Sequence, residues 1–284
     1  MNKVVACIDD SARAAVVCDF GIWAAQLLDV KLELLHVLDR HPERASVSDY
    51  SGALGMGAQE SLLEQLSSLD EARSKLAHEQ GRQILQGARQ RAEKAGVTNV
   101  DTLQRHGSLA ETLLDLEAET RLVVMGQHQE AAGSSRWYLD QNAERVVRSL
   151  HRPVLVVNGE YKVPDRFVIA FDGSQTGRKM VQMVAASPLL KGLDCHLISV
   201  AEASVTVEEG LTWARETLES EGFGVTTVIR QGEAESVIRD YVVESAANLL
   251  IMGAYGHSRI RHLIMGSSTT TLLRTSPVPV LILR

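Results

Sequence analysis

Five short apolar runs occur twice along the chain in the same order, and this repeat limits the possible folds more than any other feature. "KVVACIDDSARA" at residues 3–14 is matched by "RFVIAFDGSQTG" at 166–177. In each, an apolar run ends in an aspartate followed two residues later by a serine: Asp9 and Ser11, then Asp172 and Ser174. "KLELLHVL" (Lys31 to Leu38) is answered by "CHLISVAE" (Cys195 to Glu202), and "TLQRHGSLAETLLDL" by "TVIRQGEAESVIRDY" with Gly107 and Gly232 in register. "TRLVVMGQH" pairs with "ANLLIMGAY", and "RPVLVVN" (Arg152 to Asn158) with "VPVLILR" (Val278 to Arg284).

Runs of Val, Ile and Leu on both alternations are strands buried on both faces, as in a parallel sheet covered by helices. The segments between them read as amphipathic helices. Over Ser108 to Glu119, Leu109, Leu113, Leu114 and Leu116 fall on roughly one face. Strand–helix alternation of this kind predicts an α/β fold of two tandem doubly wound domains. Each is a five-stranded, mostly parallel sheet flanked by helices, over residues 1–158 and 165–284, joined near "NGEYKVPDR" (Asn158 to Arg166). The first half also carries an insertion, 39–75, polar and glycine-containing at its start and helical at its end. A surface loop, ahead of a substrate lid, is the expectation there.

Composition excludes several function classes. A net charge of −7 does not suit a general nucleic-acid binder, which needs a basic face, although one nucleotide needs only a few backbone N–H groups. The three cysteines, Cys7, Cys18 and Cys195, form no C-x-x-C pattern, so buried thiols in a reducing compartment are expected. No metal site is expected. His257 and His262 are not at helical ligand spacing, and Asp10, where the other half has Gly173, reads as a turn residue. The N-terminal "MNKVVACIDD" lacks the apolar core of a signal peptide, and no apolar run approaches roughly 20 residues. A cytoplasmic protein with no membrane partner is expected. Glu208, Glu209, Glu216, Glu219 and Glu221 read as the solvated face of a helix beginning near Thr206.

The chemistry concentrates in "IMGAYGHSRIRHLIMGSSTTTLLR" (Ile251 to Arg274). Gly253 ends a strand, where open α/β sheets bind ligands. Gly256 lets the following loop fold back, and Gly266 enters the next helix. A helix N-terminus offers unpaired N–H groups and a positive dipole end that hold phosphate oxygens, and Ser267, Ser268 and Thr269 add hydroxyls. Walker A, dinucleotide G-x-G-x-x-G and G-x-S-x-G patterns are all absent. Met252 and Met265 flank the glycine loops and suit either the adenine or core packing. His257 lies in the loop with Arg259 and Arg261, which read equally as a phosphate clamp or as an exposed basic loop.

On these residues the chain resembles the universal stress proteins in their tandem two-domain form. Members that bind ATP carry G-x2-G-x9-G-[ST] between the fourth strand and the last helix, which here reads Gly253, Gly256, Gly266, Ser267. They also carry an aspartate at the end of the first strand, matched by Asp172. The resemblance implies an adenine nucleotide α-hydrolase-like fold and a cleft in the second half for ATP, or ADP or AMP, with Mg2+. Asp172 would contact adenine or ribose, and Val200 would line the adenine pocket through its backbone. Gly253, Gly256, Gly266, Ser267 and Ser268 would hold the phosphates, with Met252, His257 and Thr269 beside them.

The first half departs from that pattern. Gly126 persists, but Gln129 replaces the second glycine, and Asp140 and Gln141 take the places of Gly266 and Ser267 in a loop one residue longer. Gly133, Ser134 and Ser135 stand at the wrong distance from Gly126 to restore it. A carboxylate at a helix N-terminus satisfies the dipole itself and repels phosphate. One nucleotide per chain is therefore expected, in a stress-response sensor or regulatory module with no catalytic residues. The alternatives are a slow ATPase or autophosphorylating enzyme, for which no base or Walker-type lysine stands out, and a nucleotide-free scaffold. In the family the last strand commonly pairs two domains, which implies an intrachain pseudo-dimer here. A further homodimer is left open, as is the protein partner.

Overall fold

The computed structural model describes residues 3–38, 56–127, 141–254 and 267–284. The first half runs β1 (Lys3–Cys7), α1 (Ala14–Leu28), β2 (Lys31–Leu38), α2 (Met56–Lys94), β3 (Val100–His106), α3 (Leu109–Leu116), β4 (Thr120–Gly126), α4 (Gln141–Ser149) and β5 (Val154–Val157). The second half repeats the order with β6 (Arg166–Ala170), α5 (Gln175–Ala186), β7 (Asp194–Val200), α6 (Val205–Glu219), β8 (Val225–Arg230), α7 (Ala234–Glu244), β9 (Leu249–Gly253), α8 (Ser267–Thr275) and β10 (Val280–Leu283). A 3-10 turn, Pro188–Leu190, precedes β7.

The ten strands of the described residues form one sheet, in the order β3-β2-β1-β4-β5-β10-β9-β6-β7-β8. Within each half every pairing is parallel. The strand order reverses between β1 and β4, and again between β6 and β9, which is the doubly wound arrangement expected. The halves meet through the only antiparallel pairing of the described strands, β5 with β10, in the register Val156 to Val280, Leu155 to Leu281 and Val154 to Ile282. The carboxyl ends of the two sets of strands therefore lie on opposite edges of the sheet.

Alternate residues of each strand feed two separate cores. Val4, Ala6, Phe167, Ile169, Leu249 and Ile251 pack on the side of α1 and α5. Val5, Cys7, Val168, Leu250 and Met252 pack on the other side, with Val146 of α4 and Leu272 of α8. A strand apolar on both alternations has no face to give to water, and this is why these runs lack polar punctuation. The helix expected over 108–119 is shorter. Leu113 is buried with Leu109 and Leu116 packed against the core, whereas Leu114 is 41% exposed. Residues 109, 113 and 116 recur at helical spacing, and 114 lies about 100° round from 113.

The last helices bind the halves together. Asn158 follows β5 and donates from Nδ2 to the Ser276 carbonyl at the end of α8, at 2.8 Å. Arg284, its counterpart after β10, donates from Nη1 to the carbonyls of Arg148 and Leu150 at the end of α4, both at 2.9 Å. Each half thus supplies a donor to the orphan carbonyls closing the other half's last helix. In the connecting segment Tyr161 stands edge-on to Phe20 of α1, with ring centroids 4.9 Å apart.

Candidate functional site

Two strand ends flank the reversal point of the second half. Asp172 follows β6 by two residues, and its Oδ1 accepts the backbone N–H of Ser174 at 3.0 Å. Ser174 in turn caps α5, its Oγ accepting from Gly177 N at 3.0 Å. Gly173 between them has φ +71°, a backbone conformation that favours glycine. The turn leaves the Asp172 carboxylate exposed on the carboxyl edge of the sheet. The first half builds the same Asp–Ser turn, with Ser11 N donating to Asp9 Oδ1 at 2.9 Å. Asp10 is not among the positive-φ residues and the helix starts only at Ala14, so the two turns share the Asp–Ser hydrogen bond but differ at the residue inside it and again after the serine.

Met252 and Gly253 end β9, and Val200 ends β7. The Met252 side chain is 5% exposed and belongs to the core. Val200 is half-buried and packs against that core. Both stand at strand ends and spend their side chains largely on packing. α8 opens with Ser267, at the carboxyl edge beside β9. The buried Thr269 hydroxyl points at the Gly253 carbonyl, 3.4 Å away, and so ties the first turn of α8 to the strand end. Ser268 is half-buried and hydrogen-bonds to Glu235 in the first turn of α7. That bond, together with the backbone N–H of Glu235, holds the Glu235 carboxyl below the usual carboxylate range.

The structure therefore brings Asp172, Val200, Met252, Gly253, Ser267, Ser268 and Thr269 to one edge. Gly256, His257, Arg259, Arg261, His262, Met265 and Gly266 lie outside the described residues, as do Gln129, Gly133 to Ser135 and Asp140 of the first half. Glu235 escaped the sequence reading because it arrives from a different helix, with no spacing that links it to Ser268.

The two last helices differ electrostatically. The first turn of α8 contains no acidic residue, and Arg274 stands in its last turn. The first turn of α4 contains Glu144, which is paired with Arg148. A carboxylate favours a helix N-terminus much as a phosphate does, so α4 already carries its own anion and α8 does not. Thiol chemistry is not offered at either edge. All three cysteines are buried, and burial pushes the thiols of Cys18 and Cys195 up to about 12.

Among the described residues no helix is long and apolar enough to cross a membrane. The model of the universal stress protein family matches residues 1–158 and again 164–284. Universal stress protein Slr1230 of Synechocystis sp. is 33% identical over 287 residues, covering 100% of both chains. A universal stress protein from Archaeoglobus fulgidus shares the fold, with a TM-score of 0.72 at 21% identity over 100% of this chain and 98% of the other. A functionally unknown protein from Pseudomonas aeruginosa PAO1 follows at 0.66 and 16% identity, over 100% of this chain and 92% of that one.

Proposed function

This chain belongs to the universal stress protein family, and on that premise we propose that its second half binds one adenine nucleotide and that the protein works as a nucleotide-linked regulatory module. The observation that carries the reading is the N-terminus of α8. It presents hydroxyl residues and no carboxylate of its own, and it lies against the end of β9 on the edge that also exposes Asp172. Asp172 accepts hydrogen bonds from the ribose or adenine. The backbone of Val200 and the body of Met252 form the base's floor. Gly253, Gly256 and Gly266 let the backbone approach the phosphates, which the N–H groups of Ser267 and Ser268 hold, with His257 beside them. Mg2+ bound with the nucleotide offsets part of the phosphate charge. Glu235 orients the Ser268 hydroxyl, and Thr269 keeps α8 seated on β9.

Regulation follows if the nucleotide prefers one conformation of the 253–266 segment, because a ligand shifts an equilibrium only by its differential affinity for the two states. ATP, ADP and AMP share the adenosine contacts and differ in their demand on α8. A protease-cleavage pattern for that segment that is the same with and without ATP counts against the regulatory step. The binding step is tested by calorimetric titration of nucleotide-free protein with Mg-ATP, beside Gly266→Asp. The expected result is about one ATP per chain and at least a tenfold loss in the variant. Absence of binding to the unmodified chain overturns the reading.

A further inference from the structure

Apart from the nucleotide cleft, two histidines from different elements converge at the outer edge of the first half. His78 lies on α2 and His106 is the last residue of β3, so 28 positions separate them. Their Nε2 atoms face each other at 2.5 Å, with ring centroids 4.4 Å apart and planes at 65°. Both rings are exposed. An ordinary hydrogen bond from a ring N–H spans about 2.9 Å. Two nitrogens this close are two lone pairs, or a lone pair and a proton, aimed at one point. We propose that His78 and His106 form a two-histidine site for a borderline divalent cation of the zinc, nickel and copper class, with water completing the coordination.

The surroundings fix this pair. Gln104 stands two residues before His106 on β3, and its Nε2 donates to the His78 carbonyl at 3.3 Å, holding the backbone of one ligand to the strand of the other. Gly81, one turn beyond His78, permits the close approach: a Cβ there would meet Gln104 Nε2 at 2.3 Å and the His36 ring at 2.6 Å. His36 is buried and donates from Nδ1 to the Ile8 carbonyl at 2.7 Å, so its ring is a packed floor under the helix. The helix and the strand therefore meet at one seat, and the two imidazoles are presented from fixed backbones.

Chemistry favours these cations. Neutral imidazole is a good ligand for zinc, copper and nickel and a poor one for magnesium or calcium. Zinc binds histidine nitrogen at ~2.0–2.1 Å, which sets two ligand nitrogens about 3.3 Å apart at a tetrahedral angle. Opening the pair by under ~1 Å meets that need, and two exposed rings supply it through small side-chain rotations. Among the described residues no group of three or more His, Cys, Asp or Glu is placed to hold a metal. The protein thus gives two ligands, and the depression beside them, about 380 Å³ and lined by Ser74, Lys75, Glu79, Arg82 and Gln104, gives room for solvent ligands. The two cations there are already engaged, Lys75 with Glu71 at 2.6 Å and Arg82 with Glu79 at 2.9 Å.

Bound metal would fasten α2 to the edge strand, so that metal binding and the stability of this seat are linked. The test is Zn2+ titration of the full chain by calorimetry and by thermal unfolding, with His106→Gln, His78→Gln and Gly266→Asp in parallel. The proposal requires saturable zinc binding that raises the unfolding midpoint, and at least a tenfold weakening in each histidine variant. It also requires that Gly266→Asp bind zinc like the unmodified chain, which separates this site from the nucleotide cleft. Two histidine variants guard against one of them folding poorly, and unfolding without metal checks both. Equal zinc affinity in the histidine variants overturns the site, as does an unchanged midpoint of the unmodified chain in excess zinc.

Discussion

Asp9 and Asp172 are the same residue in two copies of one turn, each accepting the backbone N–H of the serine two positions on. Their local structural roles are alike, so comparing their variants isolates any part that Asp172 plays in the proposed nucleotide site. Asp172→Ala is expected to weaken ATP binding roughly tenfold to a hundredfold, the worth of a hydrogen bond to a charged group. Asp9→Ala should leave ATP affinity unchanged while costing a similar small amount of stability. Calorimetry and urea unfolding of both variants check this, and equal losses of affinity would remove Asp172 from the site. At this scale the sequence was readable wherever chemistry sat next to a strand end. Asp172, Gly253 and Ser267 could all be placed from their neighbours. Glu235 could not, nor could the meeting of His78 with His106, because both depend on which helix lies beside which strand.

The inner strands announced themselves as runs apolar on both alternations, and the helices between them by the 3.6-residue spacing, whereas the outer strands β3 and β8 are largely exposed or half-buried. Where two leucines were adjacent the spacing misled, as at Leu114, which the helix turns to solvent. The 39-residue length of α2 was less legible than its existence; its far end packs, with Leu85 and Ala92 buried, whereas Leu69 and Leu76 are exposed. α8 is the element that joins the two halves' affairs. Its N-terminus lies on its own crevice, while its far end receives Asn158 at the Ser276 carbonyl and Gln127 Nε2 at the Arg274 carbonyl, 3.4 Å away. Asn158→Ala leaves the Ser276 carbonyl without that partner, at a cost of about 1–3 kcal/mol. Chemical denaturation should show that loss, and an unchanged midpoint would mean that another donor serves the end of α8.

For the whole molecule, the antiparallel pairing of β5 with β10 decides how the halves live together. Each of these strands is a four-residue apolar run that would be an open sheet edge in an isolated half. Residues 164–284 expressed alone are therefore expected to self-associate through β10, and residues 1–158 through β5. Light scattering of each fragment at micromolar concentration checks the outcome, and a stable monomer of either would show that the edge is tolerated without a partner. This seam was expected from the resemblance to the family, in which the last strand commonly pairs two domains, and the two closing runs, "RPVLVVN" and "VPVLILR", were the strands available for it.

The peptide linking Asn158 to Arg166 has a further consequence for inheritance. In a symmetric pair of identical chains, any change to one crevice is made in both, so a site can be kept or lost only as a set. Once the two copies are written as one chain, each crevice has its own codons. A single substitution can then close one while the other stays under selection. Glu144 in the first turn of α4 and the unacidic first turn of α8 are the kind of difference that a single chain permits and a symmetric pair forbids.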